Sequence, residues 1–185
     1  MTGPVASLAL AGAQLRDALF PPERATRLRE LVSCDLDIVV TDFHDPRLDL
    51  SETEILLTGW GCPRIDEAAL VRMPELRLIA HLAGTVKGHV DRACWARGIA
   101  VTTAAAANAV PVAEFTLAQI LLANKSAPAA TRHLLRHRDR SWSAVAPLVG
   151  NYERSVGVIG ASTIGRLLLE RLRPFALRTL LYDPT

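Results

Sequence analysis

Short apolar runs recur along the chain, at Val5–Leu10, Asp37–Val40, Ile55–Thr58, Leu76–His81 and Ile99–Thr102. Each is shorter than an amphipathic helix needs and too continuous for a strand with one wet face, so each reads as a strand buried on both faces. Between them the apolar residues fall at helical spacing. Pro22–Leu31 carries Ala25, Leu28, Leu31 and Val32 on one face, Ile65–Arg72 starts after Pro63, and His89–Arg97 stops at Gly98. Strands alternating with helices predict a parallel sheet with crossover helices on both faces. Residues 1–103 are therefore expected to form a flavodoxin-like α/β domain. The alanine run Ala104–Ala107 and Asn108 predict a hinge or linker. An apolar helix over Pro111–Leu122 and a looser basic segment, Lys125–Arg140, then open a second domain over residues 104–185.

Composition changes this picture little. Of the 185 residues, 50% are hydrophobic and 22% charged, enough to bury a core in one or two soluble domains. A net charge of +2 is too small to recruit nucleic acid or a membrane by bulk electrostatics. Arg132, Arg136 and Arg140 make a basic helical stripe beside His133, His137 and Arg138. It lacks interleaved aromatics, with Trp142 alone nearby, and reads as a solvated face, so no nucleic-acid partner is expected. Asn108, Pro111 and Glu114 interrupt the weakly charged stretch from Ile99 to Asn124, which argues against a membrane span. No basic residue precedes the short apolar run before Leu15, unlike a secretory signal. Cys34, Cys62 and Cys94 have neither disulfide-framework nor zinc-knuckle spacing, so no metal is expected and a reducing cytoplasm is the predicted compartment.

Candidate chemistry lies near the C-terminus. Val156–Ile159 is a buried-type strand entering Gly160-Ala161-Ser162-Thr163-Ile164-Gly165, and a helix follows with Ile164, Leu167, Leu168 and Leu172 on one face. This is the strand, turn and helix order of a dinucleotide-binding Rossmann unit. There the first glycine makes the tight turn, the middle one admits the pyrophosphate and the third lets helix and strand touch. Helix N-terminal amides and the positive end of the helix dipole hold the phosphates. Gly160 and Gly165 occupy the first and third positions, while Ser162 stands in the middle. Pro174 ends the helix, and Thr179–Asp183 reads as a second strand closing on a carboxylate eighteen positions past Gly165, where an acid would bind ribose hydroxyls. Asp183 would repel a 2′-phosphate, which favours NAD over NADP. The purely structural alternative is a turn that needs glycines for packing alone.

Together with the sequence upstream, the segment resembles the D-isomer-specific 2-hydroxyacid dehydrogenases, a family that includes phosphoglycerate, glyoxylate and formate dehydrogenases. The likeness is carried by Pro74–Ile79 running into His81-Leu82-Ala83-Gly84-Thr85, by Gly98–Thr102, by Asn108 with Val112-Ala113-Glu114, and by the Gly160–Asp183 block. The resemblance implies a flavodoxin-like first domain followed by the first part of a Rossmann NAD-binding domain. It implies that backbone amides of Ala83, Gly84 and Thr85 receive the carboxylate of a 2-hydroxy or 2-oxo acid, and that Asn108 opens the interdomain helix near it. It places Thr163 and Ile164 against the pyrophosphate, with Gly160, Ser162, Gly165 and Asp183 completing the cofactor set, and it implies a homodimer whose contact uses Leu134, Leu135 and Trp142. Structural readings stand beside these: Gly84 as a turn glycine, Asn108 as a helix N-cap for Ala109 onward, Glu114 as a first-turn acid.

The family's arginine, glutamate and histidine of hydride and proton transfer lie beyond the region matched here. None of His44, His81, His89, His133 or His137 falls at the histidine's place, so no catalytic residue is assigned. The chain is expected to be the front half of an NAD-dependent oxidoreductase acting on the CH–OH of a D-2-hydroxy acid, and by itself poorly soluble or oligomeric and inactive. A non-catalytic, dimeric NAD(H)-binding sensor of the corepressor kind is the other expectation.

Overall fold

The computed structural model describes residues 3–139, 141 and 150–184. Two units make up the chain, Met1–Ala105 and Ala106–Thr185.

The first unit is a five-stranded parallel sheet of β1 (Val5–Ala9), β2 (Ser33–Val40), β3 (Ile55–Thr58), β4 (Leu78–His81) and β5 (Ala100–Thr103). Their spatial order is β2-β1-β3-β4-β5, the doubly wound flavodoxin-like order that the alternation predicts. Neighbouring residues on a strand point to opposite faces, and the core divides accordingly. Ala9, Leu56 and Ile79 face one cluster with Val40, Phe43, Ile65, Leu70 and Met73. Leu8 and Leu57 face the other with Leu10, Ala25 and Leu36. Helices α3 (Glu67–Val71) and α4 (Arg92–Ala96) supply the first cluster. Helices α1 (Ala13–Leu19) and α2 (Pro22–Arg29) flank the second.

Local chemistry sets the helix starts. Asp66 accepts a hydrogen bond from the Ala69 amide at 2.9 Å and Asp91 one from Ala93 at 3.1 Å, each capping a short helix. Arginines finish what these caps leave open. Arg72 donates to the carbonyls of Phe43 and Asp45, both at 2.7 Å, and to that of Leu48. Arg97 donates to Leu70 O at 2.7 Å and Pro74 O at 3.0 Å beyond the end of α3. These guanidinium bonds add to backbone ones at two of the carbonyls, since Leu70 O also accepts from the Met73 amide at 3.1 Å and Asp45 O from the Leu48 amide at 3.2 Å.

Several expectations shift. β2 begins at Ser33 rather than Asp37, because Ser33 and Cys34 pair with Val5 and Ala6 before the register slips between Ala6 and Leu8. The polar Ser33 and Asp35 conceal that extension. α1 escapes the hydrophobic pattern because it has no fully buried residue, only Leu15 and Leu19 laid partly against the core. The two units divide within the run Ala104–Ala107, between Ala105 and Ala106, but the run is helical from Ala105 onward. α5 runs from Ala105 to Asn124 with Pro111 inside it, since alanine propagates a helix better than any other residue. Asn108 is accordingly the fourth residue of α5 and not its N-cap. The segment read as loose and basic contains a regular helix, α6 (Ala127–His137), whereas Arg140 and Trp142 lie outside the described residues.

In the second unit β6 (Arg154–Ile159) pairs in parallel with β7 (Leu177–Tyr182), joined by α7 (Thr163–Leu172). Val158, Leu168 and Leu172 form its buried centre, with Leu117 and Ile120 of α5 packed against them. α5 is long and apolar enough to cross a membrane by length and composition, but its Leu117 and Ile120 are spent on this core, and Glu114 pairs with Arg171 of α7 at 3.5 Å. Gly165 brings α7 against the end of β6: a Cβ there would stand 2.1 Å from the Gly160 carbonyl oxygen.

Two stability effects are expected. Gly165→Ala must push α7 away from backbone that cannot yield, costing about 2–3 kcal/mol, read as faster amide exchange across β6 and β7 on the full chain. Arg72→Met removes the guanidinium from the Phe43, Asp45 and Leu48 carbonyls, of which Asp45 O keeps the Leu48 amide, and should cost about 2–4 kcal/mol, read as a lower urea midpoint in the fluorescence of Trp60 and Trp95.

Candidate functional site

Because β6 and β7 run parallel in register from Arg154 and Leu177 to Ile159 and Tyr182, their carboxyl ends finish side by side. The turn leaving β6 is tied to that end, with the Gly160 amide donating to Tyr182 O at 2.8 Å. Gly160 has φ 91°, a conformation in which a side chain is strained. The chain then straightens at Ser162, the N-cap of α7, whose φ of −66° and ψ of −175° are ordinary extended backbone. The Ser162 hydroxyl makes no capping bond, and its carbonyl accepts the first helical hydrogen bond, from Arg166 at 2.9 Å. The amides of Thr163, Ile164 and Gly165 thus precede the first helical donor, at the positive end of the helix dipole. An open hollow of about 440 Å³ lies here, lined by Ala161, Ser162, Thr163, Arg166, Leu167 and Glu170.

Two charged side chains frame this turn. Asp183, one residue beyond β7, accepts a hydrogen bond from the Ala161 amide at 2.9 Å, so its carboxylate faces the glycine turn. Arg166 donates from Nε to the Ala161 carbonyl at 2.6 Å, which anchors a guanidinium on the wall of the hollow. Gly160, Ser162, Thr163, Ile164, Gly165 and Asp183 are therefore gathered at one end of the sheet, as the sequence predicts. Arg166 is an addition. Its signal was only its place directly after the third glycine, one turn along the face that Ser162 begins.

In the first unit, Ala83, Gly84 and Thr85 lie on the loop leaving β4, at the carboxyl edge of the parallel sheet. Ala83 is buried, its carbonyl accepting from the Ala104 amide at 3.1 Å, while Thr85 is exposed and its Oγ1 accepts from the Lys87 amide at 3.3 Å. Beneath the loop sits His81, only 3% exposed, with Nδ1 2.9 Å from the Thr58 hydroxyl. Burial, reinforced by His89, lowers its pKa from 6.5, and a bond with the Thr85 backbone opposes part of that shift. His81 is thus neutral at physiological pH. Sequence reasoning counted it only as a histidine outside the catalytic region; its burial and partners emerge from the pairing of β3 with β4. Asn108 is half-buried in the first turn of α5. The cysteines offer no nucleophile: burial pushes Cys62 up to about 12 and Cys34 up to about 11.

No protein-family model matches the sequence. The D-3-phosphoglycerate dehydrogenase of Mycobacterium bovis is 34% identical over 122 residues, covering 65% of this chain and 22% of that protein. The mitochondrial formate dehydrogenase of Solanum tuberosum is 30% identical over 158 residues, covering 84% of this chain and 38% of the relative. Among solved structures, the D-lactate dehydrogenase of Aquifex aeolicus, complexed with NAD and lactic acid, superposes with a TM-score of 0.68 at 24% identity, over 97% of this chain and 51% of that one. The chain spans from 22% to 51% of the length of these relatives. In sequence it is similar to part of the D-3-phosphoglycerate and formate dehydrogenases, and in fold to part of a D-lactate dehydrogenase.

Proposed function

We propose that the chain forms the substrate-side domain and the opening of the NAD-binding domain of an oxidoreductase acting on a D-2-hydroxy acid or its 2-oxo counterpart. The observation that carries this reading is the carboxylate of Asp183 facing a glycine turn whose helix amides open onto a hollow. The residues fit a dinucleotide. Nothing lies within 4 Å of where a Gly160 Cβ would stand, so the turn can be approached closely, and Gly165 lets α7 close onto it. Bound there, the nicotinamide would supply the hydride acceptor or donor.

The chain's own residues divide the remaining work. Amides of Thr163 and Ile164 would take the pyrophosphate, with Arg166 adding positive charge at the hollow's wall. Ser162 would offer its uncommitted hydroxyl to the same phosphates. Asp183 would accept hydrogen bonds from the ribose hydroxyls and repel a 2′-phosphate, which selects NAD. Amides of the Ala83–Thr85 loop would receive a carboxylate at the sheet's carboxyl edge, and Asn108 is the polar residue assigned to substrate on α5. Exposed Phe115 and Leu122 on α5 and Leu134 and Leu135 on α6 support a contact with a second copy of the chain.

Calorimetric titration of the full chain with NADH and with NADPH tests the cofactor assignment. NADH is expected to bind at least about tenfold tighter than NADPH, and Asp183→Ala to weaken NADH about tenfold while narrowing that gap, as loss of a charge-assisted hydrogen bond requires. Unchanged NADH affinity in the variant removes Asp183 from the site, and no binding of either dinucleotide overturns the reading.

A further inference from the structure

Two unlike faces run along α6. Ala129, Arg132, His133, Arg136 and His137 recur at spacings of three and four residues and share one side of the helix, while Leu134 and Leu135 lie on the other. The basic side lines an open hollow of about 250 Å³, and a separate hollow meets Leu134, Leu135 and Arg138. Leucines on the apolar side are the ones assigned above to a second copy of the chain. The basic side has no such use.

Its charge is left over. Among the described residues neither Arg132 nor Arg136 takes part in a salt bridge. Two guanidiniums one helical turn apart repel each other and weaken the helix that carries them, and an anion between them reverses the sign of that effect. Asp139 sits beside this face, but its carboxylate is already engaged. Its Oδ1 accepts from the Ser141 hydroxyl at 2.6 Å, the Ser141 amide at 3.0 Å and His133 Nε2 at 2.9 Å. Those bonds, with Ser141 foremost, hold the carboxyl down to about 2, so it is ionised and the Nε2 that faces it carries a hydrogen. They also fix the imidazole, whose side chain is 14% exposed and stacks on the His137 ring at 4.5 Å between centroids.

We propose that this face of α6 binds a small phosphate-class oxyanion, gripped by the guanidiniums of Arg132 and Arg136 with the ordered rings of His133 and His137 as its wall. Planar guanidinium forks bond the oxygens of a phosphate in pairs, which a lone ammonium cannot do. Ala129 alone among the lining residues lacks a polar side chain, so the hollow offers charge and hydrogen bonds, not apolar contact. No Trp, Tyr or Phe lines it to stack a base, and the chain's net charge is only +2, which favours a free phosphate or a phosphate monoester over nucleic acid. This site is independent of the dinucleotide reading, whose phosphates would meet amides of α7.

NMR on the full chain at about pH 7.5 and constant ionic strength tests this, reading the ring nuclei of His133 and His137 and the Nε–H groups of Arg132 and Arg136. Inorganic phosphate and glycerol phosphate, titrated separately, should shift these signals saturably, and the tighter of the two names the source of the anion. Chloride at the same ionic strength should not. Arg132→Gln and Arg136→Gln together should weaken phosphate at least about tenfold, as loss of two charge-assisted bonds requires, with helix content by circular dichroism retained. Arg132→Lys with Arg136→Lys keeps the charge without the fork and should recover only part of the affinity. Ring shifts that fail to saturate, equal shifts with chloride, or unchanged phosphate affinity in the glutamine pair overturns the proposal. A short DNA duplex that moves the same signals where phosphate does not overturns it in favour of nucleic acid. Phosphate that moves only the Thr163 and Ile164 amides overturns the α6 site and leaves the dinucleotide reading standing.

Discussion

Parallel strand pairing places every strand's carboxyl end on one edge of its sheet, and each candidate site in this chain exists because of that constraint. In the first unit it brings the ends of β3 and β4 together, so that Thr58 and His81, twenty-three residues apart, become hydrogen-bond partners beneath the loop that leaves β4. In the second it sets Asp183 beside the glycine turn that leaves β6. An antiparallel pairing of the same segments would carry these groups to opposite ends. Crossover helices follow from the same constraint, since parallel neighbours cannot be joined by a tight turn, and the N-terminus of α7 is delivered to the carboxyl edge without further design.

Much of this was legible as pattern. Strands buried on both faces announce themselves as short unbroken apolar runs, and Ile55–Thr58 coincides with its expected bounds. Legibility fell where polar side chains enter a strand, as at the start of β2, and where a helix buries too little to leave a stripe, as in α1. The alanine run before Asn108, in which the two units divide, conceals its helical conformation for another reason. Alanine satisfies a linker's lack of bulk and a helix's propensity equally well, and only the continuation into Ala109 and Ala113, both buried, separates the two. Site residues with local spacing, from Gly160 to Gly165, were readable. Partnerships spanning the sheet, such as His81 with Thr58 or Arg72 with the Phe43–Leu48 carbonyls, were not, because nothing local in the sequence records them.

Charge is handled differently in the core and at the edge. In the first unit's interior the ionisable groups are kept neutral: His81 is biased away from protonation, and Cys62 and Cys94 are held as thiols by burial. Charged groups around it bond backbone, through Arg72 and Arg97 on carbonyls and through Asp66 and Asp91 on helix amides. Asp183 and Arg166 follow the same rule at the glycine turn, one accepting from Ala161 and the other donating to it. A turn braced by an anion and a cation on one residue is held in place before any ligand arrives, which lowers the ordering cost that binding must meet.

The serine in the middle of the fingerprint can be judged on the same terms. The three positions make unequal demands on the backbone. Gly160 is required by its positive φ, and Gly165 by a carbonyl that leaves no room for a Cβ. Ser162 occupies extended backbone open to any residue, and it is exposed. Its position is therefore constrained by how closely a ligand must approach and not by the fold. A small side chain whose hydroxyl is uncommitted to capping meets that constraint, since it adds one donor to a phosphate site that already rests on helix amides. The departure from the three-glycine pattern consequently leaves the architecture of the turn intact.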